Sequence, residues 1–148
     1  MKQLSLTRGL LVAGLTILIA PIFGCSGGSA PGGALSGVWR AIYNDPTTGQ
    51  ATVELILQNN GRFQQQTAAG TGALITIYGT WQTLSGDVLR LNIERGEPTQ
   101  TCGPLGCTNV LYPAGETHNF GLNGGNLRTT LISCAANPAC TINYSRVN

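Results

Sequence analysis

The most evident shortage in this sequence is one of charge. Only 9% of the 148 residues are charged, and Lys2 is the single lysine. Lys2 and Arg8 belong to the leader described below. Without them the chain has six arginines and six acidic residues, so its formal net charge is zero. Such a chain lacks both the basic face that binds nucleic acid and the polybasic segment that binds anionic lipid. We therefore expect no nucleic-acid partner.

Groups that carry out chemistry are scarce as well. His118 is the only histidine, the acidic residues are scattered, and no Gly-x-Ser-x-Gly nucleophile motif occurs. Phosphate-binding glycine loops need a following helix, and no window after residue 25 has the 3.6-residue period of an amphipathic helix. The sequence predicts a protein that is not an enzyme and has no cofactor. A hydrolase is an alternative and would need His118 beside an exposed Ser or Asp.

The amino-terminal segment has the parts of a secretory signal. A positive start with Lys2 and Arg8 leads into an apolar run over 9–23, which ends just before Cys25. This run is shorter than the roughly 20 residues that a membrane-spanning helix needs, and Pro21 would disturb its last turn. The segment therefore favours export over a permanent membrane span.

The residues around Cys25 resemble the lipobox of bacterial lipoproteins. Ile22 stands three positions before the cysteine and Gly24 directly before it, although Phe23 is bulkier than the usual small residue. The resemblance implies that residues 1–24 are removed and that Cys25 receives a diacylglyceryl group and an N-linked acyl chain such as palmitate. Two or more acyl chains make release from a membrane slow. The alternative is ordinary secretion with an unmodified cysteine.

The residues after Cys25 bear on location and domain organisation. Ser26 and Gly27 follow, with no Asp at the second place, which in the lipoprotein family implies outer-membrane rather than inner-membrane retention. The Gly- and Ser-rich stretch up to Ser36 predicts a flexible tether that spans about 15–20 Å. We therefore expect a signal peptide at 1–24, a lipidated cysteine and linker at 25–36, and one periplasmic domain at 37–148.

Four further cysteines remain in the expected domain: Cys102, Cys107, Cys134 and Cys140. An even number in an exported chain predicts two disulfides, and four cysteines allow three pairings. We favour the local pairs Cys102–Cys107 and Cys134–Cys140, because each brackets a loop with Gly or Pro. Such small rings stabilise by only about 2 kcal/mol each. A four-thiolate zinc site is disfavoured by the spacing and the oxidising compartment, so we expect no metal.

Apolar and polar residues alternate with a period of two over most of the domain. In 50–58 one face carries Ala51, Val53, Leu55 and Leu57, and 89–93 alternates in the same way. Further strands are predicted at 38–43, 62–68, 74–84, 109–112, 116–122, 126–132 and 141–147. Because short turn signals separate them, we expect an all-β antiparallel up-and-down meander of eight or nine strands, closed into a barrel. A two-sheet β-sandwich is the alternative.

Several motifs in this order resemble the meander of small bacterial lipocalin-like domains: Gly37-x-Trp39, Asn60-Gly61-Arg62-Phe63, Gly79-Thr80-Trp81 and Gly86-Asp87-x-Leu89-x-Leu91. The resemblance covers roughly residues 37–93. It implies a lipocalin-like barrel in which Trp39 plugs one end and Arg146 or Arg128 packs over it as a cation–π pair. The second lipocalin signature and a C-terminal helix are absent, and the chain is shorter than true lipocalins.

Six residues could converge inside such a barrel as a site for a small apolar ligand: Trp39, Tyr43, Phe63, Trp81, His118 and Phe120. The alternative is that they fill the core of a narrow barrel, with His118 as a wall residue. We expect a lipid-anchored binding or accessory protein of the cell envelope. The alternative is a structural or assembly lipoprotein that recognises another envelope protein through its loops, near Pro104-Leu105 and Val110-Leu111-Tyr112. The run 64–66 with Thr67 is predicted to be an exposed strand.

Overall fold

The computed structural model describes residues 33–45, 49–84 and 86–148, so the leader, Cys25 and most of the expected tether lie outside the described residues. Within these ranges the chain forms ten strands: β1 (Gly37–Asp45), β2 (Gly49–Leu57), β3 (Arg62–Ala69), β4 (Leu74–Thr83), β5 (Val88–Glu97), β6 (Gln100–Gly103), β7 (Gly106–Asn109), β8 (Gly115–Asn123), β9 (Asn126–Leu131) and β10 (Thr141–Val147). Two short 3-10 turns lie between β9 and β10, at Ile132–Cys134 and Pro138–Cys140. Within these ranges no helix has the length and apolar character to cross a membrane.

Eight of the strands close into a barrel in the order β1-β10-β9-β8-β5-β4-β3-β2. Every neighbouring pair is antiparallel. The pairing of β1 with β10, in which Trp39 lies opposite Arg146, closes the barrel. The strands β6 and β7 form a separate hairpin inserted between β5 and β8. The predicted all-β, up-and-down, lipocalin-like barrel is therefore confirmed, and the two-sheet sandwich is wrong.

The period-two pattern decides which face of each strand points inward. Leu55 and Leu57 on β2 are 1% exposed, whereas Glu54, which precedes Leu55, lies on the outer face and pairs with Arg40 of β1. Burying an aliphatic side chain of this size stabilises by roughly 1.5–3 kcal/mol. The core defined by these inward faces therefore fixes the strand register.

One end of the barrel, which we call the closed end, is filled by Trp39. The indole is fully buried, and its Nε1 donates to the carbonyl of Leu35 at 2.8 Å. The Arg146 guanidinium lies 5.1 Å from the indole ring centre and donates to the carbonyl of Ser36. The expected plug and the Trp39–Arg146 pair are confirmed. Leu35 and Ser36, which we expected in the flexible linker, are buried against this end.

Both predicted disulfides are confirmed. Cys102–Cys107 joins β6 to β7, and Cys134–Cys140 joins the two 3-10 turns. The strand predicted at 109–112 is wrong, because β7 ends at Asn109 and the chain then runs beside the end of β5 without a regular ladder.

Candidate functional site

The six residues predicted to line a ligand site fall into two groups. Trp39, Phe63 and Trp81 are 0–3% exposed and form part of the hydrophobic core. Tyr43, His118 and Phe120 are only partly buried. The first group fills the core, as expected if these residues pack the interior of a narrow barrel and do not line a ligand site. The second group lies on inward faces that the core covers only in part. Tyr43 and Phe120 pack against the hydrophobic core that Trp39, Phe63 and Trp81 help to form.

The barrel end opposite Trp39, which we call the mouth, is formed where β1, β3, β5 and β9 end. Inward-facing residues near it, such as Tyr43, Ile93 and Ile142, are only half-buried. Tyr112, from the segment after β7, covers one edge of the mouth. Its ring lies where a Cβ on Gly96 would be, 2.3 Å from the ring carbon Cδ2, and its hydroxyl donates to the Pro98 carbonyl at 2.9 Å.

The strand β8 places an acid and the only histidine on the same inward face. Glu116 lies opposite Leu91, and His118 lies opposite Leu89 and Leu131. Nε2 of His118 is 3.1 Å from Oε2 of Glu116, and the two side chains are 13% and 27% exposed. Because their neighbours are leucines, this contact lies in a region of low polarity, where a hydrogen bond is stronger than in water.

The second ring nitrogen of His118 has a different environment. Nδ1 is buried and has no hydrogen-bond partner among the described residues. When Nε2–H donates to the carboxylate, the neutral ring presents Nδ1 as an acceptor. A buried polar atom without a partner costs roughly 1–3 kcal/mol. The pair is therefore not explained by the stability of the barrel.

A buried tyrosine lies within electrostatic reach of this pair. Burial raises the pKa of Tyr144 far above its usual value; a hydrogen bond with Thr129 lowers it in part, while Glu116 and Tyr43 raise it further. Tyr144 is therefore a neutral phenol across the physiological pH range. Together with Thr129 it adds polar groups to an interior that is otherwise mainly aliphatic.

An open pocket of about 480 Å³ lies beside Glu116, where β8 and β9 diverge. The ladder between these strands starts only at His118 and Leu131, so the chain before and after these residues spreads apart. The lining is Pro113, Gly115, Glu116, Thr117, Leu131, Ile132 and Ser133. Glu116 is the one charged side chain in this lining. Mainly apolar walls with a few polar groups are typical of small-molecule sites.

The sequence contained a signal for Glu116 that the prediction did not use. The period of two that places His118 on one face of this strand with Phe120 and Leu122 also places Glu116 on that face. The same reasoning applies to Gln65. It was predicted in an exposed run, yet its register partners are Leu55 and Ile77, whose side chains point inward.

Across 33–45, 49–84 and 86–148 there is no group of three His, Cys, Asp or Glu residues placed to hold a metal ion. The thiols considered for zinc are joined as disulfides.

The hairpin of β6 and β7 presents a second surface. Leu105 at its tip is fully exposed, and Leu111 just beyond it is 91% exposed. All residues of both strands are exposed. From Pro98 to Gly115 the chain carries no charged residue. Of the residues predicted to form an exposed apolar patch, Leu105 and Leu111 are exposed, while Tyr112 packs back onto the barrel.

No protein-family model matches this chain, and no curated protein matches its sequence.

Proposed function

We propose that the protein is a lipid-anchored lipoprotein of the bacterial cell envelope, more specifically of the outer membrane, whose barrel binds a small, largely apolar ligand at its mouth. The observation that carries the binding function is the pocket beside Glu116, with walls formed by Pro113, Leu131 and Ile132. Its volume lies within the range of about 300–1,000 Å³ that small-molecule sites occupy.

The anchoring half of the proposal is supported by Ile22, Gly24 and Cys25 in lipobox spacing. The described chain enters the barrel through Leu35 at the closed end. A tether attached at this end is compatible with a mouth that faces away from the anchoring membrane. The pocket would then open towards the aqueous compartment rather than towards the lipid.

The mass of the intact protein extracted from membranes tests the anchor. We expect the mass of the chain from Cys25 onward plus its acyl groups, and we expect Cys25→Ser to move the protein to the soluble fraction. Cys134→Ser, which removes another cysteine, is the matched control and should stay in the membrane. An unmodified mass in the soluble fraction would refute the anchor.

Calorimetric titration of the purified full chain with hexanol tests the binding half. Ile132 is 44% exposed at the pocket, so we expect Ile132→Trp to fold and to block the site. Ile42→Trp is the matched control, because Ile42 is exposed on the outer wall. If both variants bind like the unmodified protein, the pocket is not the site.

A second candidate function is recognition of another envelope protein through the hairpin. It is favoured by two exposed leucines: Leu105 at the tip of the hairpin that Cys102–Cys107 cross-links, and Leu111 in the segment that follows β7. A photo-crosslinking amino acid in place of Leu105 should give one defined adduct in intact envelopes, while the same group in place of Gln82 on the barrel wall should not. Equal labelling from both positions would argue against this function.

A further inference from the structure

The pocket beside Glu116 has one charged wall. We propose that its ligand carries an ammonium group: the apolar body packs against Leu131 and Ile132, and the N–H groups donate to the Glu116 carboxylate. This inference rests on the proposed binding function and names the chemical class of the ligand.

The Glu116 carboxylate is accessible for this contact. Its side chain is 27% exposed and forms part of the pocket lining. Its Oε2 faces His118, but an ionised carboxylate offers about four acceptor sites on its two oxygens. The group therefore retains the capacity to accept further hydrogen bonds from the pocket side.

The surrounding charges favour a cation. Glu54, Glu94 and Glu97 each pair with an arginine, at 2.7, 3.0 and 3.6 Å respectively. Glu116 differs, because its partner in the described structure is His118 and the pocket lining contains no Arg or Lys. A negative charge between apolar walls is complementary to an organic ammonium and disfavours a carboxylate ligand.

His118 acts as a positioning residue. With Nε2 at 3.1 Å from Oε2, it holds the carboxylate against the β8 wall and orients the other oxygen. The imidazole does not line the pocket itself, since the wall there is formed by Leu131, its cross-strand partner. Substitution of His118 should therefore weaken the selectivity for charge more than it weakens the binding of a neutral ligand.

Three compounds with the same apolar body test the proposal: hexylammonium, hexanol and hexanoate, each titrated calorimetrically into the full chain. We expect hexylammonium to bind about tenfold more tightly than hexanol, because a hydrogen bond between charged groups is stronger than one from a neutral hydroxyl by an amount that corresponds to about tenfold in affinity. Glu116→Gln should abolish that preference and leave hexanol unchanged. Glu54→Gln, the same change on the outer wall, should preserve it, and His118→Gln should reduce it.

A second variant tests the inference if Glu116→Gln fails to fold. Ile132→Lys adds a positive charge at an exposed pocket residue, so we expect it to reverse the preference towards hexanoate. Equal affinity for all three compounds would overturn the ammonium inference and leave an apolar pocket. Absence of binding by any of them would refute the proposed binding function. Hexylammonium binding that neither variant changes would place the site elsewhere and overturn the inference.

Discussion

Replacing Arg146 by alanine removes the outer half of the plug at the closed end. The guanidinium stacks 5.1 Å from the Trp39 ring centre and donates to the Ser36 carbonyl, and it lies 3.5 Å from the carbonyl of Ala34. An exposed cation–π contact is worth about 0.5–1 kcal/mol, and a hydrogen bond from a charged donor about 1.5–3 kcal/mol. Because Arg146 is largely exposed, we take the lower values and expect a loss of about 2 kcal/mol in the free energy of unfolding.

Urea unfolding followed by far-UV circular dichroism measures this loss. Arg128→Ala is the matched control, because Arg128 was the alternative partner of Trp39 and lies exposed on β9; we expect a change within about 0.5 kcal/mol. Arg146→Lys keeps the charge but loses the planar donor group, so an intermediate loss of about 1 kcal/mol is expected. If Arg146→Ala and Arg128→Ala unfold at the same urea concentration, the plug does not stabilise the barrel.

Two further predictions concern the mouth and the interior. Gly96→Ala should lower the free energy of unfolding in urea by about 1–3 kcal/mol, since its Cβ would lie 2.3 Å from the Tyr112 ring. Gly121→Ala is the control and should leave the free energy of unfolding unchanged, because the space around Gly121 is open. In the double variant, Tyr112→Ala should relieve the loss caused by Gly96→Ala. Tyr144 has a raised pKa in the folded state, so its contribution to stability is complete below pH about 10 and declines as the pH rises further, by up to about 1.4 kcal/mol per unit. Urea unfolding between pH 9 and about 11 should show a weaker decline in Tyr144→Phe, and an unchanged slope would contradict the assignment.

The parts of the fold that local patterns determine were predictable from the sequence. Alternation over 50–58 identifies the inward face of β2, because a strand with one buried face tolerates no slip of one residue. The pairs Cys102–Cys107 and Cys134–Cys140 follow from short loops that bring the thiols together. The Trp39–Arg146 pair came from a family resemblance that left Arg128 open, and only strand register decides between the two.

The parts that failed depend on partners distant in sequence. Residues 110–112 have the apolar, branched character of a strand, but the chain there runs along the end of β5 and inserts Tyr112 over Gly96 instead of forming a ladder. Gln65 was predicted to be exposed because three glutamines in a row suggested a solvated surface. Phe63 points into the core, so a period of two alone places Gln65 inward, and composition was the weaker guide.

The two ends of the barrel interior differ in how their polar side chains are buried. Near Trp39 the interior residues are almost completely buried, and the indole N–H groups of Trp39 and Trp81 donate to the carbonyls of Leu35 and Gln58 at 2.8 and 3.0 Å. Among the described residues, Ser36 Oγ at this end and Nδ1 of His118 are both buried without a hydrogen-bond partner. Glu116 differs from the closed end in that its carboxylate is only half-buried. Apolar residues of similar size in place of Glu116 and His118 would serve the packing of the barrel better. A half-buried carboxylate that packing does not require is what a binding site needs, because a ligand in the pocket can donate hydrogen bonds to it.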